Sequence, residues 1–88
     1  MRVYKYHLEI DDEVRLQMPE GAKILTVQTQ NGKPCIWAAV NPLCSHTEER
    51  RFRIAGTGHN VDDALAENYV GTFQMYDGRL VFHVFEIL

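Results

Sequence analysis

Residues 50–60, RRFRIAGTGHN, gather the groups in this chain best suited to hold an anion. Gly56 and Gly58 free the backbone to turn its N–H groups toward one point, as in an anion-binding nest. Arg51 and Arg53 supply charge, Thr57 a hydroxyl, and His59 a ring N–H for a phosphate or ribose. With Tyr69 as a stacking surface, Arg51, Arg53, Gly56, Thr57, Gly58 and His59 form the candidate ligand-binding set. As a motif the stretch is weak, because GTGH lacks both the third glycine of a dinucleotide fingerprint and the lysine of a phosphate loop. A helix starting at Asn60 would also carry Asp62 and Asp63 in its first turn, where they complement the helix dipole and repel a phosphate. The competing reading is plainer: a half-exposed strand with its arginines in water, running into a glycine turn.

Other chemistry finds less support. Cys44 and His46 form an isolated C-x-H with no second pair at finger-like spacing, so no metal site is expected. Ser45, the only serine, sits between them in a loop, where neighbours cannot face one another as nucleophile and base. No pair of carboxylates lies in an apolar setting that would raise a pKa. The expectation is a non-enzymatic protein with no catalytic residues and no cofactor. Trp37, Phe73, Phe82 and Phe85 lie in the most apolar segments and are expected in the core. Tyr4, Tyr6, Tyr69 and Tyr76 are the aromatics suited to lining a pocket.

The elements that must position these groups read as strands. Asn31-Gly32 and Asp77-Gly78 both tolerate the positive φ angles of a type I′ hairpin turn. Before the first, alternation places Leu25, Val27 and Thr29 on one face; after it, PCIWAAV is apolar on both faces and reads as a central strand. Around the second, Tyr69, Gly71, Phe73 and Met75 share a face, and RLVFHVFEIL reads as another central strand. VYKYHLEI and EVRLQMP add two more, the latter with Val14, Leu16 and Met18 aligned. RRFRI turns Phe52 and Ile54 inward with Arg51 and Arg53 outward. NVDDALAENY is the single helical candidate, capped by Asn60 and at most two turns long. The fold class is therefore all-β: a compact antiparallel sandwich or barrel of six to seven short strands with at most one short helix.

Eighty-eight residues make a single domain, residues 1–88. A hydrophobic fraction of 45% and a charged fraction of 24% are those of an ordinary globular chain. The net charge of −3 argues against strong nucleic-acid binding, which depends on a basic face. No apolar run approaches the roughly 20 residues that span a bilayer, so no membrane association is expected and the location is read as cytosolic. Cys35 and Cys44 read as free thiols.

YKYHLEI, GAKILTVQTQNGKPCIWAAV, FRIAGTGH and NYVGTFQMYDGRLVFHVFE, taken in order, resemble a family of small uncharacterised bacteriophage and prophage proteins. The likeness covers nearly the whole chain; His7 stands where a proline is frequent in that family, and 43–48 and 61–67 fall in variable segments. The resemblance implies a protein acting in the cytoplasm of an infected bacterial host. It further implies a binding role, either as a homo-oligomeric sponge for a small anionic nucleotide used in host immunity, or as an inhibitor of a host defence protein. A virion or assembly component is a third implication.

Overall fold

The computed structural model describes all of residues 1–88. Seven strands form two antiparallel sheets that face one another. They are β1 (Arg2–His7), β2 (Glu13–Pro19), β3 (Lys23–Gln30), β4 (Lys33–Val40), β5 (Thr47–Gly56), β6 (Tyr69–Met75) and β7 (Leu80–Ile87). The three-stranded sheet has the order β1-β4-β3 and the four-stranded sheet β2-β5-β7-β6. Both segments read as central strands, β4 and β7, occupy interior positions. A 3-10 helix at Asp63–Asn68 is the only helix.

Alternation along each strand builds the core between the sheets. Ile36, Ala38 and Val40 of β4 meet Phe52 and Ile54 of β5, Val84 of β7, Phe73 of β6, and Val14 and Met18 of β2, all buried. Phe73 and Phe82 stack at 5.4 Å. Phe85, opposite Arg53 and packed on Tyr69, lies on the outer face of the four-stranded sheet, and Trp37 is a second exception to the expected aromatic core. It pairs with Lys5 on the outer face of the three-stranded sheet, where the Lys5 ammonium lies 6.0 Å from its ring. The buried partners of Trp37 are its neighbours Ile36 and Ala38, and strict alternation sends the residue between them outward.

The two hairpins differ. Gln30 pairs with Lys33, leaving Asn31 (φ 52°) and Gly32 (φ 77°) as a two-residue turn of the expected kind. Met75 pairs with Leu80, so the second connection is longer, and Tyr76, Asp77 and Gly78 all take positive φ. The helix is also shifted from expectation: Asp62, not Asn60, caps it, its carboxylate accepting from the Ala64 N–H at 3.0 Å. The Arg53 guanidinium donates to the Asn60 carbonyl at 3.1 Å and fixes that residue in the preceding loop.

Two bulges set which side chains leave the core. A register shift between Ile24 and Thr26 keeps Ile24 and Val27 inward and pushes Leu25 out, 45% exposed, against the simple alternation of Leu25 with Val27. A second, between Tyr69 and Gly71, turns Tyr69 to the outer face while Phe73 stays buried. Gly71 then lies against β3: a Cβ there would fall 2.9 Å from Cγ1 of Val27. At this seam β3 and β6 run side by side without a hydrogen-bonded ladder, whereas no comparable contact joins β1 to β2.

Candidate functional site

The alternation that buries Phe52 and Ile54 of β5 also turns Arg50 inward, and the alternation that buries Val84 and half-buries Phe82 of β7 does the same for Glu86. Phe52 pairs directly with Glu86, which makes Arg50 and Glu86 diagonal neighbours on the core face. Their side chains are 15% and 12% exposed. Arg50 Nε donates to Glu86 Oε2, and Nη2 donates to Oε1 at 3.1 Å. Nη1 donates to the Ala22 carbonyl at 2.6 Å, tying the start of β3 to the pair. The carboxylate of Glu86 raises the Arg50 pKa above its ordinary value and outweighs burial, which acts to lower it.

This ion pair lies in a cleft of about 470 Å³ at the end of the sandwich where β3 and β6 begin and β7 ends. Lys23 and Asn68 stand on its walls, and Leu25, Tyr69 and Leu88 form an exposed apolar rim. Tyr69 is held in orientation from two sides. Its ring packs at 5.7 Å against Phe85, and its hydroxyl bonds Thr72 Oγ1. Half its surface stays open, 53% exposed.

Donors in the cleft remain open to an anion. A guanidinium has five N–H donors, and three of those on Arg50 are used by Glu86 and Ala22, which leaves two without a protein partner. Lys23 is in no ion pair. Arg50 and Lys23 stand against Glu86 in the cleft, and Glu48, which accepts from the N–H of the lining residue Gly21, also acts on Arg50.

Of the residues expected from sequence, only Tyr69 lies here. Arg51 and Arg53 face outward on the four-stranded sheet, as the alternation required, but each is engaged. Arg51 Nη2 pairs with Glu13 at 2.6 Å. Arg53 pairs with Asp12 at 3.3 Å and donates to the carbonyls of Ile54 and Asn60. Gly56, Thr57 and His59 line a separate depression of about 320 Å³, together with Arg79. There the His59 ring lies over Gly56, so close that a Cβ at Gly56 would come within 3.1 Å of it. Gly58 takes φ 91°, which accounts for the glycine. The expected set is thus distributed over three places.

A chain of side-chain hydrogen bonds crosses the outer face between cleft and depression. Tyr69 bonds Thr72, Thr72 Oγ1 lies 2.9 Å from Nδ1 of His83, and Nε2 of His83 lies 2.7 Å from Thr57 Oγ1. Sequence reading missed Arg50, Glu86, Lys23 and Arg79. The first two were accessible by extending the inward positions of RRFRI and RLVFHVFEIL by two residues, which places opposite charges on the core face of both strands. Arg79 was accessible only through the pairing of Gly56 with Phe82, which brings both turns to one end of the sheet.

The fold and the cleft define a small all-β sandwich domain with an open, polar-floored cleft at one end. The chain belongs to the family described as a domain of unknown function, DUF7352, which it matches over residues 1–87. No curated protein and no solved structure matches it.

Proposed function

We propose that this domain is a non-enzymatic binding module that holds a small anionic ligand of the nucleotide class in the cleft between β3, β6 and β7. The observation that carries the reading is the juxtaposition of Arg50, with two unpartnered N–H groups, and the unpaired Lys23 beside the oriented, half-open ring of Tyr69. A phosphate is the natural partner of the two cations, and a base the natural partner of the ring and of Leu25. In the phage setting suggested by the sequence resemblance, such a module sequesters a nucleotide signal in the cytoplasm of the infected cell. Native mass spectrometry with a panel of cyclic and ADP-ribose-derived nucleotides tests this. Adducts at one ligand per cleft are expected, lost in Lys23→Glu and retained in the double variant Arg51→Ala, Arg53→Ala. Adducts unaffected by Lys23→Glu, or none with any nucleotide, refute it.

A second reading rests on the apolar rim. Leu25, Tyr69 and Leu88 are large, exposed and adjacent, as in the anchors of a protein-binding surface. In that case the partner is a host protein, and Leu25→Glu abolishes its stoichiometric capture.

A further inference from the structure

Four strands of this sandwich have a side that no ladder covers: β1, β2, β3 and β6. Free edges template pairing with other chains, and proteins ordinarily guard them with charge, proline, bulges or cover. Three of the four are guarded here. β3 and β6 cover one another across the Gly71–Val27 contact, and each carries a bulge. β2 ends in Pro19 and carries Glu13 and Arg15, which are linked to Glu49 and Arg51 of β5 by ion pairs.

β1 is the least guarded: no strand covers its edge, and Arg2 stands only at its first residue. It is six residues of regular ladder with β4, without proline or bulge. Its one lysine is drawn away from the edge: Lys5 Nζ reaches across β4 to donate to Gln30 of β3 at 2.7 Å and lies over Trp37. Val3 is 52% exposed on the outer face, and Tyr4 stands at the opening between β1 and β2.

We infer that β1 is the self-association surface of this protein, pairing antiparallel with β1 of a second copy about a two-fold axis through Tyr4. The three-stranded sheets of the two copies then become one continuous sheet. An axis perpendicular to that sheet keeps both sandwiches on the same side of it, so a residue must pair with one on its own face. Among such registers, centring on Lys5 sets Lys5 against Lys5, a destabilising like-charge pair. Centring on Tyr4 sets tyrosine against tyrosine, Arg2 against Tyr6 of the second copy, and Val3 against Lys5 of the second copy. No like charges are directly opposed, and an arginine lies beside an aromatic ring on the inner face. This inference is independent of the ligand assigned to the cleft.

The test is analytical ultracentrifugation of the full chain with Val3 changed to either charge. Val3 is exposed, so circular dichroism of the variants is expected to match the parent. The parent sediments as a dimer at micromolar concentration. Val3→Lys opposes Lys5 of the second copy twice per dimer and weakens association by about tenfold. Val3→Glu meets the same lysines with opposite charge and preserves or tightens the dimer. In Tyr4→Cys, oxidation links the two copies through residue 4, because directly opposed Cβ atoms lie about 4.5–5.5 Å apart. A parent that stays monomeric at high micromolar concentration overturns the inference. So does a dimer that responds equally to both charges, or one whose Tyr4→Cys variant forms no bridge at residue 4.

Discussion

Replacing Arg50 by methionine leaves the largely buried Glu86 carboxylate without its bidentate partner. The side chains are 15% and 12% exposed, so solvent cannot substitute for the lost partner. Three hydrogen bonds also vanish, two to Glu86 and one to the Ala22 carbonyl. Breaking a buried pair from one side typically costs about 3–5 kcal/mol. Against a total of about 5–15 kcal/mol for a domain of this kind, the loss is a large fraction of all stability. Glu86→Leu should cost a similar amount by stranding the guanidinium. The double variant Arg50→Met, Glu86→Leu removes both charges and supplies apolar volume, so its cost should fall below that of either single change. Urea unfolding of the four proteins, followed by far-ultraviolet circular dichroism and by fluorescence of Trp37, measures the cycle. A double variant as unstable as the sum of the two single losses would show that the residues act independently. The account of a mutually compensating pair at the floor of the cleft would then be wrong.

Gly71→Ala sets a methyl 2.9 Å from Cγ1 of the buried, branched Val27, with β3 backbone behind it, and should destabilise by about 1–3 kcal/mol in the same assay. A loss below about 0.5 kcal/mol would mean the β3–β6 seam gives way readily. Phe52→Ala removes the largest fully buried side chain and should cost about 3–5 kcal/mol, with a lowered denaturation midpoint at unchanged slope. Burial, and secondarily Tyr4, raise the pKa of Tyr6 above its usual 10.0. The folded state thus retains the phenol proton more tightly than the unfolded chain. The associated stability is complete below about pH 10 and is lost as the pH climbs through the higher folded-state value. Tyr6→Phe should flatten that alkaline limb of the stability curve; an identical limb in both proteins would remove Tyr6 as its source.

Most of the sheet architecture was readable because strand alternation is a local property. Val14 with Met18, and Phe52 with Ile54, face inward as their spacing requires, and two apolar-on-both-faces segments became interior strands. Two of the misplaced residues lie where one extra residue enters a strand. Leu25 and Tyr69 both flank register shifts, and a bulge leaves no mark in a period-two pattern except a glycine whose purpose is a contact far away in sequence, here Gly71 against Val27. Composition pointed to the arginines nearest the glycines, Arg51 and Arg53. All three arginines keep unpartnered donors; what separates them is that alternation turns Arg50 alone into the cleft. β2 delivers Glu13 to Arg51, and its preceding loop Asp12 to Arg53, pairings that a one-dimensional reading does not contain.

The line of hydroxyls through His83 has a sense of direction. A neutral imidazole carries one proton, so it donates on one side and accepts on the other. With the proton on Nδ1, His83 donates to Thr72, Thr72 donates to Tyr69, and the phenolic O–H is left free to donate elsewhere, while Thr57 spends its own proton on Nε2. With the proton on Nε2 every arrow reverses: Tyr69 offers only lone pairs beyond Thr72, and Thr57 has a free O–H to offer beside His59 and Arg79. The two ends are therefore complementary by construction. When one is a donor the other is an acceptor, and whatever fixes the polarity at Tyr69 writes the opposite polarity at the far side of the sheet without moving the backbone.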